Sequence, residues 1–276
     1  MRKTKRSGDR KTMRKSEKRR LKKTRRAYRK SPQKGGFEYG MSGINYANEG
    51  IVIYPSIIPK SDILPEDSIT KIYYRAKYYD IEIQKYRIFD LVDSEHRYHC
   101  NVYSHGNNLI PTHYLSNELK QNIQKIDFEK QYAYIDMEYV GETIGSPNTN
   151  TSNPKLRKAI LEFFIKVLQL QNDEGYLVHG DPHAGNICYK IDTNGEYIIK
   201  YIDITQLELV PGNQIITSGN DSYNIRAQFS SLIGTIRHIF GYDNPIANEL
   251  TNIKRVGNRY ESVLHEVLEV LIKYNI

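Results

Sequence analysis

The chain has 276 residues, 39% of them hydrophobic, with two cysteines and a formal charge of +8. That length suits one two-lobed domain or two small ones, while Cys100 and Cys188, far apart and without a CxxC pair, argue against a disulfide framework or a structural zinc site. There is no signal-peptide core and no apolar run long enough to span a membrane, so the expected setting is intracellular and not secreted.

Residues 1–34 hold 18 Lys and Arg against Asp9 and Glu17, a balance of +16 that leaves the rest of the chain at −8. This tail has too few apolar side chains to offset its ordering entropy and is expected to be disordered when free. Its expected partner is nucleic acid or another polyanion, or the import machinery.

From residue 35 to 140 the texture changes. Strands are expected at 50–58, 68–74, 98–103 and 131–139. A helix over 79–93 has Ile81, Tyr86, Ile88, Phe89 and Val92 as its apolar positions. Residues 145–153 are turn-rich. Asn153 and Pro154 then suit the cap and first position of a helix, and Leu156, Ile160, Phe163, Phe164, Val167, Leu168 and Gln171 follow at helical spacing. Gly175 is expected to stop it. Strands over 186–191 and 197–204 flank Asn194-Gly195, a hairpin turn. Helices over 223–240, 246–253 and 260–274 close the chain, with Asp221 expected to cap the first of them.

The stretch VHGDPHAGNI, residues 178–187, carries the densest chemistry. It follows a long amphipathic helix and precedes the hairpin, whose far end bears Asp203. A hairpin returns its end to its start, so Asp203 is expected beside Asp181 and Asn186. One carboxylate and one amide oxygen are enough for Mg²⁺ when phosphates complete its shell. A further carboxylate can orient a hydroxyl and accept its proton. Asp181 is the expected base, and Asn186 and Asp203 the expected metal ligands.

HGDPHAGNI followed by YIDIT resembles the catalytic loop and metal-binding motif of the protein-kinase-like superfamily. The form with Gly before Asp and His two residues after it is similar to that of aminoglycoside phosphotransferases, UbiB-type proteins and kinase-like proteins of large DNA viruses. Upstream, AYIDMEYVG (133–141) resembles a kinase fifth strand and hinge, and ITKIY (69–73) the strand bearing the ATP lysine. The resemblance implies a two-lobed α+β fold, with a β-rich N-lobe over 35–140 and a trimmed helical C-lobe over 141–276. It implies ATP and Mg²⁺ as cofactors. Lys71 would hold phosphates, Glu82 would aim Lys71, Met137 would be the gatekeeper, and backbone groups of Glu138 and Val140 would meet adenine.

The sequence also departs from that pattern. No GxGxxG precedes Lys71, only Gly40, Gly43 and Gly50, and Lys77 competes with Lys71. Asp-Ile-Thr replaces Asp-Phe-Gly, Gly180 replaces the usual arginine, and His183 replaces the lysine common in serine/threonine kinases. The expected function is Mg-ATP-dependent phosphoryl transfer, most simply by a divergent serine/threonine protein kinase of viral type working in a host cytoplasm or nucleus or in a virion. The acceptor is a hydroxyl of a protein or a small molecule. Two other readings stand beside it. One is a catalytically weak or inactive kinase-like binding module. The other is a metallophosphoesterase, disfavoured because His238 and His265 each stand alone in a helical pattern.

Overall fold

The structure is a computed structural model that describes residues 43–46, 49–54, 56–57, 68–113, 115–123 and 126–275. The basic tail and Gly40 lie outside the described residues. The first half is a five-stranded antiparallel sheet in the order β1-β2-β3-β5-β4. Its strands are β1 (Gly43–Tyr46), β2 (Gly50–Tyr54), β3 (Ser68–Tyr73), β4 (Val102–Leu109) and β5 (Tyr132–Glu138). Helix α1 (Ala76–Asp90) joins β3 to β4, and a short α2 (Asn117–Asn122) joins β4 to β5.

Strand alternation divides this sheet into two faces. Tyr73, Ala133, Ile135 and Met137 join the core built around α1. Ile51, Ile53 and Ile72 point the other way, onto Leu109, Leu115, Ile123 and Ile126. Lys71 pairs in register with Ile135 on one side and Val52 on the other, so all three share the α1 face.

The second half is mainly helical: α3 (Pro154–Leu168), α4 (Tyr223–Phe240), α5 (Pro245–Asn252) and α6 (Tyr260–Lys273). Small antiparallel sheets pack with them. One is formed by β6 (Glu142–Thr143), β9 (Ile187–Ile191) and β10 (Tyr197–Tyr201), the other by β7 (Gln171–Asn172), β8 (Gly175–His179) and β11 (Leu207–Val210). Helix α3 starts as its sequence dictates: the Asn153 side chain accepts from Lys155 N and Leu156 N, and Pro154 follows. Its buried face includes Leu156, Ile160, Phe163, Phe164, Val167 and Leu168, each worth about 1.5–3 kcal/mol when fully removed from water.

Three local expectations are corrected. Gly175 does not stop α3, which ends at Leu168. It opens β8 at φ +143°, where a Cβ would lie 2.3 Å from Val210 O. Strand β4 runs over Val102–Leu109 because the preceding chain is held in a turn, with Asp93 accepting from Arg97 N and Tyr98 N. Asp221 does not cap α4; Ser222 occupies that position, and the Asp221 carboxylate accepts from Thr217 Oγ1.

Candidate active site

Lys71 and Glu82 meet inside the protein. Nζ lies 2.6 Å from Oε2, and the two side chains are 8% and 1% exposed. Only Tyr74 and Arg75 separate β3 from α1, so a carboxylate on the second turn of α1 reaches back to the strand. Burial alone would lower the pKa of Lys71. The carboxylates of Glu82 and Asp203, with Glu49 in the β1–β2 turn, outweigh it and hold the ammonium above the ordinary lysine value. Burial pushes the Glu82 carboxyl up, opposed by Lys71. Lys77 is exposed and lies over the Tyr78 ring, and Glu95 is exposed and paired with Arg97. Neither reaches this pair.

The loop after β8 is fixed from several sides. Its first anchor is α4: Gln228 Oε1 accepts from His179 N at 2.8 Å, and Thr235 Oγ1 donates to Pro182 O at 3.2 Å. Gly180 N donates to Gln206 O. A Cβ at Gly180 would sit 2.7 Å from Asn224 Oδ1 and 3.0 Å from Gln206 Cβ, so a larger residue there would have to displace the Asn224 side chain. His179 is buried, and its Nδ1 accepts from Asp181 N at 3.1 Å. Burial drives its pKa down to about 4. The ring is therefore neutral with its proton on Nε2. Its part is to orient the backbone of Asp181.

Asn186 Nδ2 donates to Asp181 O at 3.0 Å. A carbonyl can only accept, so the amide orientation is forced and Oδ1 is the atom left for a cation. Ile202 N donates to Asn186 O at 2.9 Å. That bond brings the end of the β9–β10 hairpin onto the loop, with Asp203 as the next residue. Asp203 adopts φ +52°, a left-handed conformation that Asp tolerates better than most side chains. Its Oδ1 accepts from Thr205 Oγ1. The Asp181 carboxyl is pushed up by burial, pulled down by His183, and pushed up again by Asp203. His183 Nε2 lies 3.7 Å from Asp181 Oδ2, while its Nδ1 accepts from Gly185 N.

At the end of β5, Met137 is buried, with Sδ 3.6 Å from Tyr86 Oη on α1. Glu138 N donates to Asn101 O, and the Glu138 carboxylate takes Lys190 and Lys200, which hold its pKa low despite burial. The Glu138 side chain is therefore committed to the β9–β10 hairpin. Val140 is buried between β5 and β6, followed by Gly141 at φ +86°.

The structure thus brings Lys71 and Glu82 within electrostatic reach of Asp203, and Asp203 within reach of Asp181, with Asn186 bonded to the Asp181 carbonyl. Hard oxygen donors from an amide and a carboxylate fit Mg²⁺. A depression of about 390 Å³ opens beside Asp181, lined among others by Gln206, Tyr223, Arg226 and Ser230. Sequence reasoning missed Gln228 and Thr235, which are polar positions on the otherwise apolar buried face of α4. It also missed Val52, which only strand register places opposite Lys71.

No family model and no curated protein matches the chain. Among solved structures it is similar to the kinase domain of PknI from Mycobacterium tuberculosis (TM-score 0.45, 13% identity, covering 87% of this chain and 100% of that one). A point mutant of that domain gives a TM-score of 0.43 at 12% identity, covering 87% and 99%. The Rio2 kinase of Chaetomium thermophilum, solved as an ADP/Mg²⁺-phosphoaspartate complex, gives 0.41 at 13% identity, covering 92% and 74%. Among the described residues no helix is long and apolar enough to cross a membrane. The antiparallel sheet with its one long helix and the helical second half make this an α+β fold.

Proposed function

We propose that the chain is a Mg-ATP-dependent phosphotransferase acting on a hydroxyl acceptor. The observation that carries this reading is the buried Lys71–Glu82 pair with Asp203, at the end of the β9–β10 hairpin, within its electrostatic reach. An ammonium kept charged in a dry site is a phosphate ligand, and Glu82 keeps it aimed. Asn186 Oδ1 and the Asp203 carboxylate would hold Mg²⁺, which neutralises charge on the phosphates when bound. Backbone groups of Glu138 and Val140 would meet the adenine ring, with Val52 above it on the sheet.

Asp181 would accept the proton of the acceptor hydroxyl. The acceptor oxygen bonds the γ-phosphorus, the bond from that phosphorus to the bridging oxygen breaks, and ADP leaves. Asp181 is half-buried and its pKa is raised, which makes it a stronger base than a solvated aspartate. His183 is placed to steady the Asp181 carboxylate. The acceptor would enter by the depression at Gln206, Tyr223 and Arg226. A serine or threonine of a protein is the favoured acceptor because the 133–141 segment resembles a protein-kinase hinge. The tail's charge of +16 would attach the enzyme to nucleic acid or another polyanion.

The test is the thermal midpoint of the full chain with and without Mg-ATP, run beside Asp203→Asn. A ligand bound only by the folded state raises the midpoint. A Mg-dependent rise in the wild type, absent from the variant, is expected. No rise at millimolar ATP refutes the nucleotide site and leaves a kinase-like binding module.

A further inference from the structure

The loop between α1 and β4 carries a second constellation, in the sequence Asp90-x₂-Asp93-x₂-His96-x₂-His99. Asp90 is the last residue of α1. His99 Nε2 lies 2.8 Å from Asp90 Oδ1 and 3.2 Å from His96 Nδ1, and His96 Nδ1 lies 3.5 Å from Asp90 Oδ1. Three potential ligand atoms from three side chains therefore form a small triangle. Bond lengths of about 2.0–2.1 Å to a tetrahedral zinc ion place neighbouring ligand atoms about 3.3 Å apart. The mean edge of this triangle is close to that.

The surroundings fit as well. His99 is wholly buried and stacks on Phe89, with ring centroids 4.2 Å apart. Its other nitrogen, Nδ1, lies 2.8 Å from Asp93 Oδ2. Asp93 is itself buried and braced by two backbone N–H groups. A carboxylate behind a histidine fixes the ring and its tautomer and strengthens the inward nitrogen as a ligand. With the proton on Nδ1, the Nε2 lone pair confronts the Asp90 carboxylate at hydrogen-bond distance, so something positive must lie between them. His96 takes φ +50°, an uncommon conformation for a side chain of its size, and this turns its ring back toward His99. His96 and Asp90 are partly exposed, and His96 lines a groove of about 730 Å³, so an ion has a way in.

We propose that Asp90, His96 and His99 form a zinc site, with Asp93 as the outer carboxylate and water completing the shell. Two imidazole nitrogens and one carboxylate select zinc over magnesium or calcium. The ion has a mechanical consequence. Tyr201 N donates to Tyr98 O, and His99 bridges Tyr201, two residues before Asp203. Zinc would therefore brace the helix that carries Glu82 against the strand that delivers Asp203. The proposal does not depend on the chain being a phosphotransferase.

The experiment uses the full chain stripped with a chelator, then titrated with Zn²⁺ alone and, separately, with Co²⁺, whose intense visible bands report tetrahedral geometry. His96→Asn keeps a residue that tolerates positive φ, and Asp90→Asn keeps the helix end. Asp203→Asn controls for zinc at the other acids. One ion per chain with tetrahedral cobalt bands, unchanged in Asp203→Asn and at least tenfold weaker in His96→Asn and Asp90→Asn, is expected. No uptake by the wild type overturns the site and leaves a proton between His99 and Asp90. Equal uptake by the His96 and Asp90 variants also overturns it.

Discussion

Acidification should unlock the loop at His179 before it unfolds the rest, and the size of the effect follows from burial. The ring is neutral in the folded state, with a pKa near 4 against an ordinary value of 6.5. The unfolded chain therefore binds more protons between those limits, and stability falls as pH falls through that window. Above about pH 6.5 the contribution is fully present. The loss is about 2 kcal/mol at pH 5 and about 3 kcal/mol at pH 4. Glu138, with its lowered pKa, and Asp181, with its raised one, also make stability depend on pH, so the comparison must be differential. His179→Asn retains an acceptor near the Nδ1 position for Asp181 N and removes the titration. Urea unfolding of both chains at several pH values between 4 and 7.5 should give curves that converge on acidification by that amount. Parallel curves would refute the reasoning.

Further consequences can be checked with single variants. Lys71→Met should cost about 3–5 kcal/mol in urea unfolding, because Glu82 is left buried and unpaired. Lys71→Met with Glu82→Gln should recover most of that stability, yet show no Mg-ATP shift. Gln228→Leu removes the acceptor of His179 N and should cost about 1–3 kcal/mol. If the chain turns over ATP, it should lower kcat more than it raises KM, because the loop is held less firmly. Deleting residues 1–34 should abolish salt-sensitive retention on a polyanion column while leaving turnover unchanged. Retention at low salt by the truncated chain would count against the tail.

Much of the site could be read from residues near one another in sequence. Asp181 and Asn186 share one loop, and the hairpin that returns Asp203 is signalled by Asn194-Gly195, where Gly195 takes φ +82°. Helix α3 announces itself through Asn153, Pro154 and a strong apolar period. The 11-residue spacing of Lys71 and Glu82 was harder, because it depends on α1 starting two residues after β3, and no local signal marks that. Gln228 and Thr235 were invisible because what they hold, the backbone at His179 and Pro182, lies about fifty residues away. Asp221 looked like a cap because capping residues and turn residues are the same types. Only the fold decides which role such a residue takes.

The segment after Asp203 has a consequence for control. Ile204 is fully buried, and Leu207–Val210 immediately pairs with β8. Between Asp203 and the start of α4 at Tyr223 there are 19 residues, four of them in β11. The residues that follow Asp203 directly are thus tied into the fold at once, and the free length lies beyond β11. If Asp203 holds a metal ion, it does so from a backbone pinned by the buried Tyr201 and Ile204 on either side. Under the proposed function, such a protein would have little scope for switching this segment off, and its output would track supply: how much of it is made, where its tail would anchor it, and which molecules come within reach of Asp181.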